Sequence, residues 1–315
     1  MNVLITGGTG NLGSRLVIPM VQRGNKVAVF DTRPQPHFDS AEFRSVDVIL
    51  GDLADRNAVL QAILSHKIEA IFHLGAMLSS DAEEDPYRAW GVNMDGMVNV
   101  LDAARMGGTQ KVIFSSTIAT YGVHLEDPLR DDSPQWPLSL YGVTKVAGER
   151  LGVYYQHRFG LDFRAIRLPV IVAARGSGGG ASAYCSAVFE GCVFKGNYDF
   201  YVRPTTRAPM LYVADAVRGL VALHDAPMGK LTRSVYNIAG ISASAEELAT
   251  SVRTLVPAAH ITYTPDPLRS TIVESWPQHI DDSDARQDWG WRADWQLDRM
   301  ANEIVGVLQD ELARK

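Results

Sequence analysis

A glycine-rich turn between the first strand and the first helix constrains the fold of this chain more than any other feature. Asn2–Thr6 has Val-Leu-Ile at its centre and is predicted to be a buried strand, while residues 14–23 form a helix pattern that ends at Gly24. Glycines spaced three apart let the backbone turn sharply, approach a pyrophosphate and pack helix on strand, with the helix N-terminus facing the phosphates. The alternative is a plain strand-to-helix turn. In this context we predict dinucleotide contacts at Gly7, Gly10, Asn11 and Leu12.

An acidic residue follows the second predicted strand, residues 26–30. Asp31 lies about 18 residues after Gly13, where a carboxylate hydrogen-bonds the adenosine ribose and repels a 2′-phosphate. Arg33 weakens this preference slightly, and Asp31 could instead only cap a strand. The sequence therefore favours NAD over NADP.

The strand–helix alternation continues, and the next strands are each followed by residues that could contact a cofactor. Asp52 after the strand at 46–50 could accept from an adenine amino group or cap the helix predicted at 55–66. Small residues after the strand Ala70–His73 let a cofactor lie against the backbone. Asn93, inside a long helix predicted at 86–105, either contacts the cofactor or ties neighbouring backbone together. Candidate cofactor contacts here are Asp52, Leu53, Leu74, Gly75, Ala76 and Asn93.

A tyrosine and a lysine four residues apart follow the strand at 111–114. Tyr141 and Lys145 lie on one face of a predicted helix, so both can reach one reacting centre. An ammonium beside a phenol favours the phenolate, so we expect a lowered pKa for Tyr141 and a role as general base towards an alcohol. The spacing alone is common in helices, and it gains weight from the upstream pattern. Thr117 or Ser116, at the strand's end, can hold the substrate oxygen.

Composition excludes several function classes. The 315 residues are 46% hydrophobic with a net charge of −6, and no Lys/Arg cluster indicates a nucleic-acid surface. The two cysteines, Cys185 and Cys192, are expected to be core thiols, which suits a reducing compartment. With no basic leader and no apolar run near 18 residues, we expect a cytoplasmic protein without a membrane partner. No pattern indicates a metal site.

The second half breaks the clean alternation. We predict an α/β fold in which a doubly wound parallel (Rossmann) sheet occupies residues 1–175, with residues of about 210–240 returning to it, and a smaller C-terminal α/β substrate-binding lobe at 176–315. Ser244 to Glu247 is typical of a capping box. The glycine-rich loop at 175–181 is either a linker or a segment that closes over the substrate.

These motifs in this order resemble the extended short-chain dehydrogenase/reductase superfamily. More specifically, the chain is similar to the short-chain type of L-threonine 3-dehydrogenase. That similarity is carried by Ala89-Trp-Gly-Val-Asn93, Tyr141-Gly-Val-Thr-Lys145, Arg167-Leu-Pro169, Gly178-Gly-Gly-Ala181, Val235-Tyr-Asn237 and Ser275-Trp-Pro277.

The resemblance implies NAD-linked oxidation of the threonine side-chain alcohol to 2-amino-3-oxobutyrate by a homodimer, with hydride transfer to nicotinamide C4. In that scheme Thr117 holds the substrate hydroxyl, Tyr141 takes its proton, and Lys145 binds the nicotinamide ribose. Residues implied to contact substrate are Ser79 or Ser80, Gly179 and Trp276, and Ile171 is implied to lie by the nicotinamide.

Two other functions stay open at this point. A nucleotide-sugar epimerase or dehydratase could use Arg203 and Arg207 to grip a diphosphate, although the asparagine usual after the strand at 167–171 is missing. A non-catalytic NAD sensor is a third possibility, but it would have no use for Thr117, Tyr141 and Lys145.

Overall fold

A seven-stranded, all-parallel sheet forms the centre of the molecule. The computed structural model describes residues 1–123, 125–176, 180–274 and 276–314. The order of the large sheet is β10-β6-β5-β4-β1-β2-β3, so the chain order reverses beside β1. Its strands are β1 (Asn2–Thr6), β2 (Lys26–Asp31), β3 (Asp47–Leu50), β4 (Ala70–His73), β5 (Lys111–Thr117), β6 (Asp162–Leu168) and β10 (Val235–Asn237).

Helices cover both faces of this sheet, because the central strands β1, β4 and β5 are nearly continuous runs of buried apolar residues. One face packs a core around Leu16, Val17 and Leu220, and the other a core around Val100, Leu101 and Ile63. The helices are α1 (Asn11–Gln22), α2 (Arg56–Ser65), α3 (Ser79–Glu84), α4 (Pro86–Trp90), α5 (Gly96–Gly107), α6 (Leu140–Phe159), α7 (Tyr184–Lys195), α8 (Val213–Asp225), α9 (Ala245–Leu255), α10 (Pro267–Glu274), α11 (Ser283–Trp289) and α12 (Leu297–Ala313).

The long helix predicted at 86–105 is interrupted by a wider turn. Gly91–Asp95 is a π-helical segment between α4 and α5, and it contains Asn93. π-turns often occur at functional sites because they redirect a side chain. The sequence pattern could not show this interruption, because apolar periodicity barely changes across a single wide turn.

Two small sheets accompany the later part of the chain. They are a three-stranded sheet, β11-β9-β7, and a two-stranded sheet, β12-β8. Their strands pack with α7, α9 and α12 around a third core. The division into a domain at 1–175 and a lobe at 176–315 stays a prediction. The strands are β7 (Val170–Val172), β8 (Asn197–Phe200), β9 (Arg207–Tyr212), β11 (Ile241–Ser244) and β12 (His260–Tyr263).

One prediction about how a helix begins is confirmed, and another is wrong. The capping box of α9 is formed in both directions between Ser244 and Glu247. The cap of α2 is Asp55, whose side chain accepts from the backbone N–H groups of Asn57 and Ala58, so the alternative role of Asp52 as its cap is wrong.

The described residues also bear on the expectations drawn from composition. Cys185 and Cys192 are free and buried. Across residues 1–123, 125–176, 180–274 and 276–314, no helix combines the length and apolar character needed to span a membrane. The same residues contain no group of three or more His, Cys, Asp or Glu side chains placed to hold a metal ion.

Candidate active site

The turn after β1 brings two glycine-containing segments into direct contact. Gly7 has a φ of +66°, and a Cβ there would lie 2.7 Å from both Cα and N of Gly75. A Cβ on Gly13 would lie 2.4 Å from the carbonyl oxygen of Gly7. Only glycine fits these positions, because a side chain at Gly7 would push the turns after β1 and β4 apart and one at Gly13 would push α1 away from the turn after β1. Gly10 is the N-cap of α1, and Asn11 and Leu12 begin that helix.

Asp31 lies at the end of β2 and is joined to this turn. Its Oδ2 accepts from the backbone N–H of Thr9 at 3.0 Å, and its Oδ1 accepts from the N–H of Arg33 at 3.3 Å. The carboxylate therefore helps to hold the glycine turn as well as standing where an adenosine ribose is expected. Arg33 contributes its backbone to this arrangement, an interaction that sequence reasoning did not foresee.

The side chain of Thr6 holds the turn after β4 in place. The Oγ1 of Thr6 accepts from the N–H of Gly75 at 3.3 Å and lies 2.7 Å from Nδ1 of His73. Burial lowers the pKa of His73 to about 3, with the charge of Lys145 adding to the shift. A neutral imidazole therefore supports the segment of Leu74, Gly75 and Ala76.

Asp52 and Leu53 lie at the start of the connection from β3 to α2. Asp52 accepts from the N–H of Ala54 at 3.0 Å and pairs with Arg88 at 3.4 Å. The carbonyl of Leu53 accepts from Asn99 at 2.8 Å, and a Cβ on Gly75 would lie 2.8 Å from the Leu53 side chain. Leu53 thus packs directly against the turn after β4.

Asn93 braces this turn against α6. Its Oδ1 accepts from the N–H of Met77 at 2.8 Å, and its Nδ2 donates to the Met77 carbonyl and to Oγ1 of Thr144, both at 3.1 Å. Thr144 precedes Lys145 on α6. The side chain therefore supports the tying role of Asn93, and its role as a cofactor contact stays a prediction.

Thr117 and Tyr141 meet at the carboxyl edge of the large sheet. Thr117 is the last residue of β5, Tyr141 is in the first turn of α6, and the Thr117 hydroxyl lies near enough to the phenol to favour its ionised form. Ser139 caps α6 by accepting from the N–H of Gly142 at 3.1 Å, which fixes where the helix begins. The two groups needed to hold and deprotonate an alcohol thus lie next to each other.

The expected lowering of the Tyr141 pKa is wrong for the protein alone. Burial raises the pKa of Tyr141 to about 12, and the neighbouring Thr117 hydroxyl opposes this only in part. Lys145 Nζ donates to the carbonyl of Ser115 at 2.6 Å and lies 4.4 Å from the Phe114 ring centroid, but 5.6 Å from that of Tyr141. Burial also lowers the pKa of Lys145 to about 7. Tyr141 and Lys145 have the predicted helical spacing, but desolvation rather than the charge of the lysine sets the direction of the Tyr141 pKa shift.

Ser116 faces the opposite way from Thr117, as alternation along a strand requires. Its Oγ donates to Oε1 of Glu149 at 2.5 Å, and the residue is buried. Since that hydroxyl is engaged inside the protein, the geometry favours Thr117 over Ser116 as the residue that holds a substrate oxygen.

The residues predicted to contact substrate come from separate elements. Ser79 and Ser80 begin α3, and Oγ of Ser80 accepts from the N–H of Gly180 at 2.7 Å. Trp276 is partly buried against the core of the small sheets, and Ile171 lies in β7. Gly179 falls outside the described residues.

Several known proteins are similar to this chain over nearly its whole length. Residues 3–239 match the NAD dependent epimerase/dehydratase family. The mitochondrial L-threonine 3-dehydrogenase of Bos taurus is 37% identical over 313 residues, covering 98% of this chain and 83% of that protein. The L-threonine dehydrogenase structure from Phytophthora infestans has a TM-score of 0.90 at 32% identity, covering 99% of this chain and 100% of that one. An L-threonine 3-dehydrogenase from a metagenome, described as monomeric, has a TM-score of 0.90 at 31% identity, covering 98% and 99%.

The chain belongs to the NAD dependent epimerase/dehydratase family. As in that family, its cofactor is NAD, and the chain is an NAD-dependent oxidoreductase.

The glycine-rich turn after β1 has features that suit the binding of NAD. Gly7 and Gly10 add no side chain of their own to the turn that leads into α1, and the N–H groups at a helix N-terminus are suited to a pyrophosphate. Oγ1 of Thr9 is buried without a hydrogen-bond partner among the described residues. A buried hydroxyl without a partner is unusual and is expected to be satisfied when a ligand is present.

The sequence analysis did not identify one buried pair of residues beside this site. Glu149 and Arg167 form a buried ion pair directly behind Ser116. A signal was present, because Tyr141, Lys145 and Glu149 recur every four residues and so share one face of α6.

Proposed function

We propose that this protein oxidises L-threonine at its 3-hydroxyl to 2-amino-3-oxobutyrate with NAD. The observation that carries the proposal is the placement of Thr117, at the end of β5, beside Tyr141, one helical turn from the buried Lys145. The bovine and Phytophthora relatives named as threonine dehydrogenases support the choice of substrate.

In this mechanism the protein's residues hold the alcohol and move its proton. Thr117 hydrogen-bonds the substrate hydroxyl, and Tyr141 as phenolate accepts the O–H proton while the hydrogen on C3 leaves as hydride. When bound, NAD supplies the hydride acceptor and a positively charged ring. A positive charge near a phenol favours the phenolate, so the raised pKa of Tyr141 describes the protein before the site is filled. Lys145 adds to that charge and holds the nicotinamide ribose.

The substrate pocket is proposed to lie between the edge of the large sheet and the small sheets. Ser79 or Ser80, Gly179 and Trp276 contact the amino acid, and Ile171 lies by the nicotinamide. The hydrogen bond from Gly180 to Ser80 supports this placement, because it joins α3 to the glycine-rich loop.

A nucleotide-sugar epimerase is the second candidate, and the geometry of its two candidate arginines disfavours it. Arg203 is paired with Glu274. Arg207 is paired with Glu247 at 2.8 Å and donates to the Ser242 carbonyl at 2.6 Å. Gripping a diphosphate would require both arginines to leave these partners.

The test measures NADH formation with L-threonine beside D-threonine, L-serine and UDP-sugars. We expect turnover with L-threonine, and in the Tyr141→Phe variant a loss of about 10²-fold or more with NAD affinity retained. Tyr154→Phe, an exposed tyrosine on the same helix, is the matched control. Conversion of a UDP-sugar without oxidation of L-threonine would overturn the proposal, and NAD binding without any turnover would indicate a sensor.

We also propose a cytoplasmic homodimer formed through α5 and α6. Val98 on α5 and Val143 on α6 expose 41% and 40% of their surface. Exposed apolar side chains on adjacent helices favour association between copies of the chain. Sedimentation should give a dimer that Val143→Glu dissociates, whereas a monomer at all concentrations would contradict the proposal.

A further inference from the structure

Glu149 is a fully buried carboxylate that contacts three separate parts of the protein. Its Oε1 accepts from Ser116 Oγ at 2.5 Å and from Arg167 Nε at 2.9 Å. Its Oε2 accepts from Arg167 Nη2 at 2.8 Å and from Gln135 Nε2 at 3.0 Å. The carboxylate is therefore saturated by hydrogen bonds from β5, β6 and the segment before α6.

These contacts lie next to the reacting groups. Ser116 and Arg167 are paired neighbours on β5 and β6, and the following residue on β5 is Thr117. On α6, Glu149 lies one turn beyond Lys145 and two turns beyond Tyr141. Glu149 thus fixes the position of α6 along the sheet one residue from the Thr117–Tyr141 contact.

Glu149 also provides the negative charge near Lys145. On α6 Lys145 is flanked by Tyr141 and Glu149, and on β4 it approaches His73, whose pKa of about 3 keeps the imidazole neutral. From β5 it meets the Phe114 ring and the Ser115 carbonyl, which do not titrate. Arg167 is paired with Glu149. The carboxylate accordingly opposes the effect of burial on the Lys145 pKa.

We infer that Glu149 is a positioning residue for the dehydrogenation, acting through two neighbours. Its hydrogen bonds hold Tyr141 in register with Thr117, and its charge keeps Lys145 protonated. The inference rests on the proposed function, because the reaction is its readout. Glu149 itself touches neither substrate nor cofactor in this scheme.

The test compares two substitutions of Glu149, one that removes its charge and one that shortens its side chain. Glu149→Gln keeps the shape and removes the charge. Lys145 then loses its proton at lower pH, so the alkaline limb of the pH profile of kcat/KM moves to lower pH and the profile narrows from that side. Glu149→Asp keeps the charge and shortens the side chain. Its profile should keep the wild-type width while kcat falls, because misplacement of Tyr141 is then the only defect.

Asp215→Asn is the matched control. Asp215 is also a buried carboxylate, but it lies on α8 and not on α6. It accepts from the backbone N–H groups of Asp294 at 3.0 Å and Trp295 at 3.1 Å. We expect this variant to unfold at a lower temperature with an unchanged pH profile.

The outcomes separate this inference from the proposed function. A wild-type protein that does not oxidise L-threonine would refute the proposed function before any variant is compared. An active wild type with a Glu149→Gln profile of wild-type width would overturn the inference. If Glu149→Gln does not fold because Arg167 is left unpaired, Glu149→Asp decides, and an undiminished kcat in that variant would overturn it.

Discussion

Ser80 accepts a hydrogen bond from the backbone N–H of Gly180, with 2.7 Å between Oγ and N. The two residues are 100 apart in sequence and join the start of α3 to the glycine-rich loop. Ser80 therefore anchors the side of the loop that enters α7, at the place where the substrate is expected to lie.

The first prediction concerns this anchor. Ser80→Ala removes one hydrogen bond, worth about 1 kcal/mol, so KM for L-threonine should rise about 5-fold with little change in NAD affinity. Ser79→Ala is the comparison in steady-state kinetics. If Ser79→Ala has the larger effect, Ser79 is the direct substrate contact and Ser80 serves the loop alone.

The second prediction separates backbone strain from close packing at the cofactor turn. Gly7→Ala should abolish NAD binding, because its Cβ would meet the backbone of Gly75 at 2.7 Å. Gly24→Ala is the control, since Gly24 has a φ of +77° but nothing within 4 Å of a Cβ. We expect it to lose about 1–2 kcal/mol of stability and to bind NAD normally in a fluorescence titration. Equal binding by both variants would contradict the packing argument.

A third prediction concerns the choice between NAD and NADP. Asp31→Asn removes the charge but keeps an oxygen that can accept from Thr9 N–H, so the turn should persist while discrimination against the 2′-phosphate weakens. Asp31→Ala loses both and should also lower the unfolding temperature. The ratio of kcat/KM for the two cofactors is the measurement. An unchanged ratio in Asp31→Asn would show that the charge of Asp31 does not set the preference.

The fourth prediction is that the catalytic lysine destabilises the protein without ligand. Burial lowers the pKa of Lys145 to about 7, so between that value and its ordinary value near 10.5 the unfolded chain binds more protons than the folded one. Stability contributed by this group consequently rises with pH across that window.

Lys145→Met should then unfold at a higher temperature than wild type, with the largest gain at and below about pH 7 and a smaller gain as the pH rises. Thermal unfolding of both proteins across this range is the measurement. The variant should be inactive. A variant that is less stable than wild type near neutral pH would show that the contacts of Lys145 with Ser115 and Phe114 outweigh the cost of burying its charge.

Repeating local patterns account for what could be predicted without coordinates. The strand at Asn2–Thr6, the glycine turn and the capping box at Ser244 each depend on residues close together in sequence, and each is present in the structure. The strand at 197–200 and the helix at 267–274 were missed. Both segments are too short to show a clear periodicity of apolar residues. Their structure depends instead on contacts with residues far along the chain.

The class of fold, the turns that face the cofactor and the spacing of Tyr141 and Lys145 could be predicted from the chain, because strands, helices and glycine turns depend on neighbouring residues. The electrostatics of the site depend instead on packing between distant segments. The pKa of Tyr141 depends on how much water is removed around it, and Lys145 donates to a carbonyl of β5 that comes close only when α6 packs on the sheet. The ion pair of Glu149 with Arg167 was hidden for the same reason, since its partners lie 18 residues apart and meet across two elements.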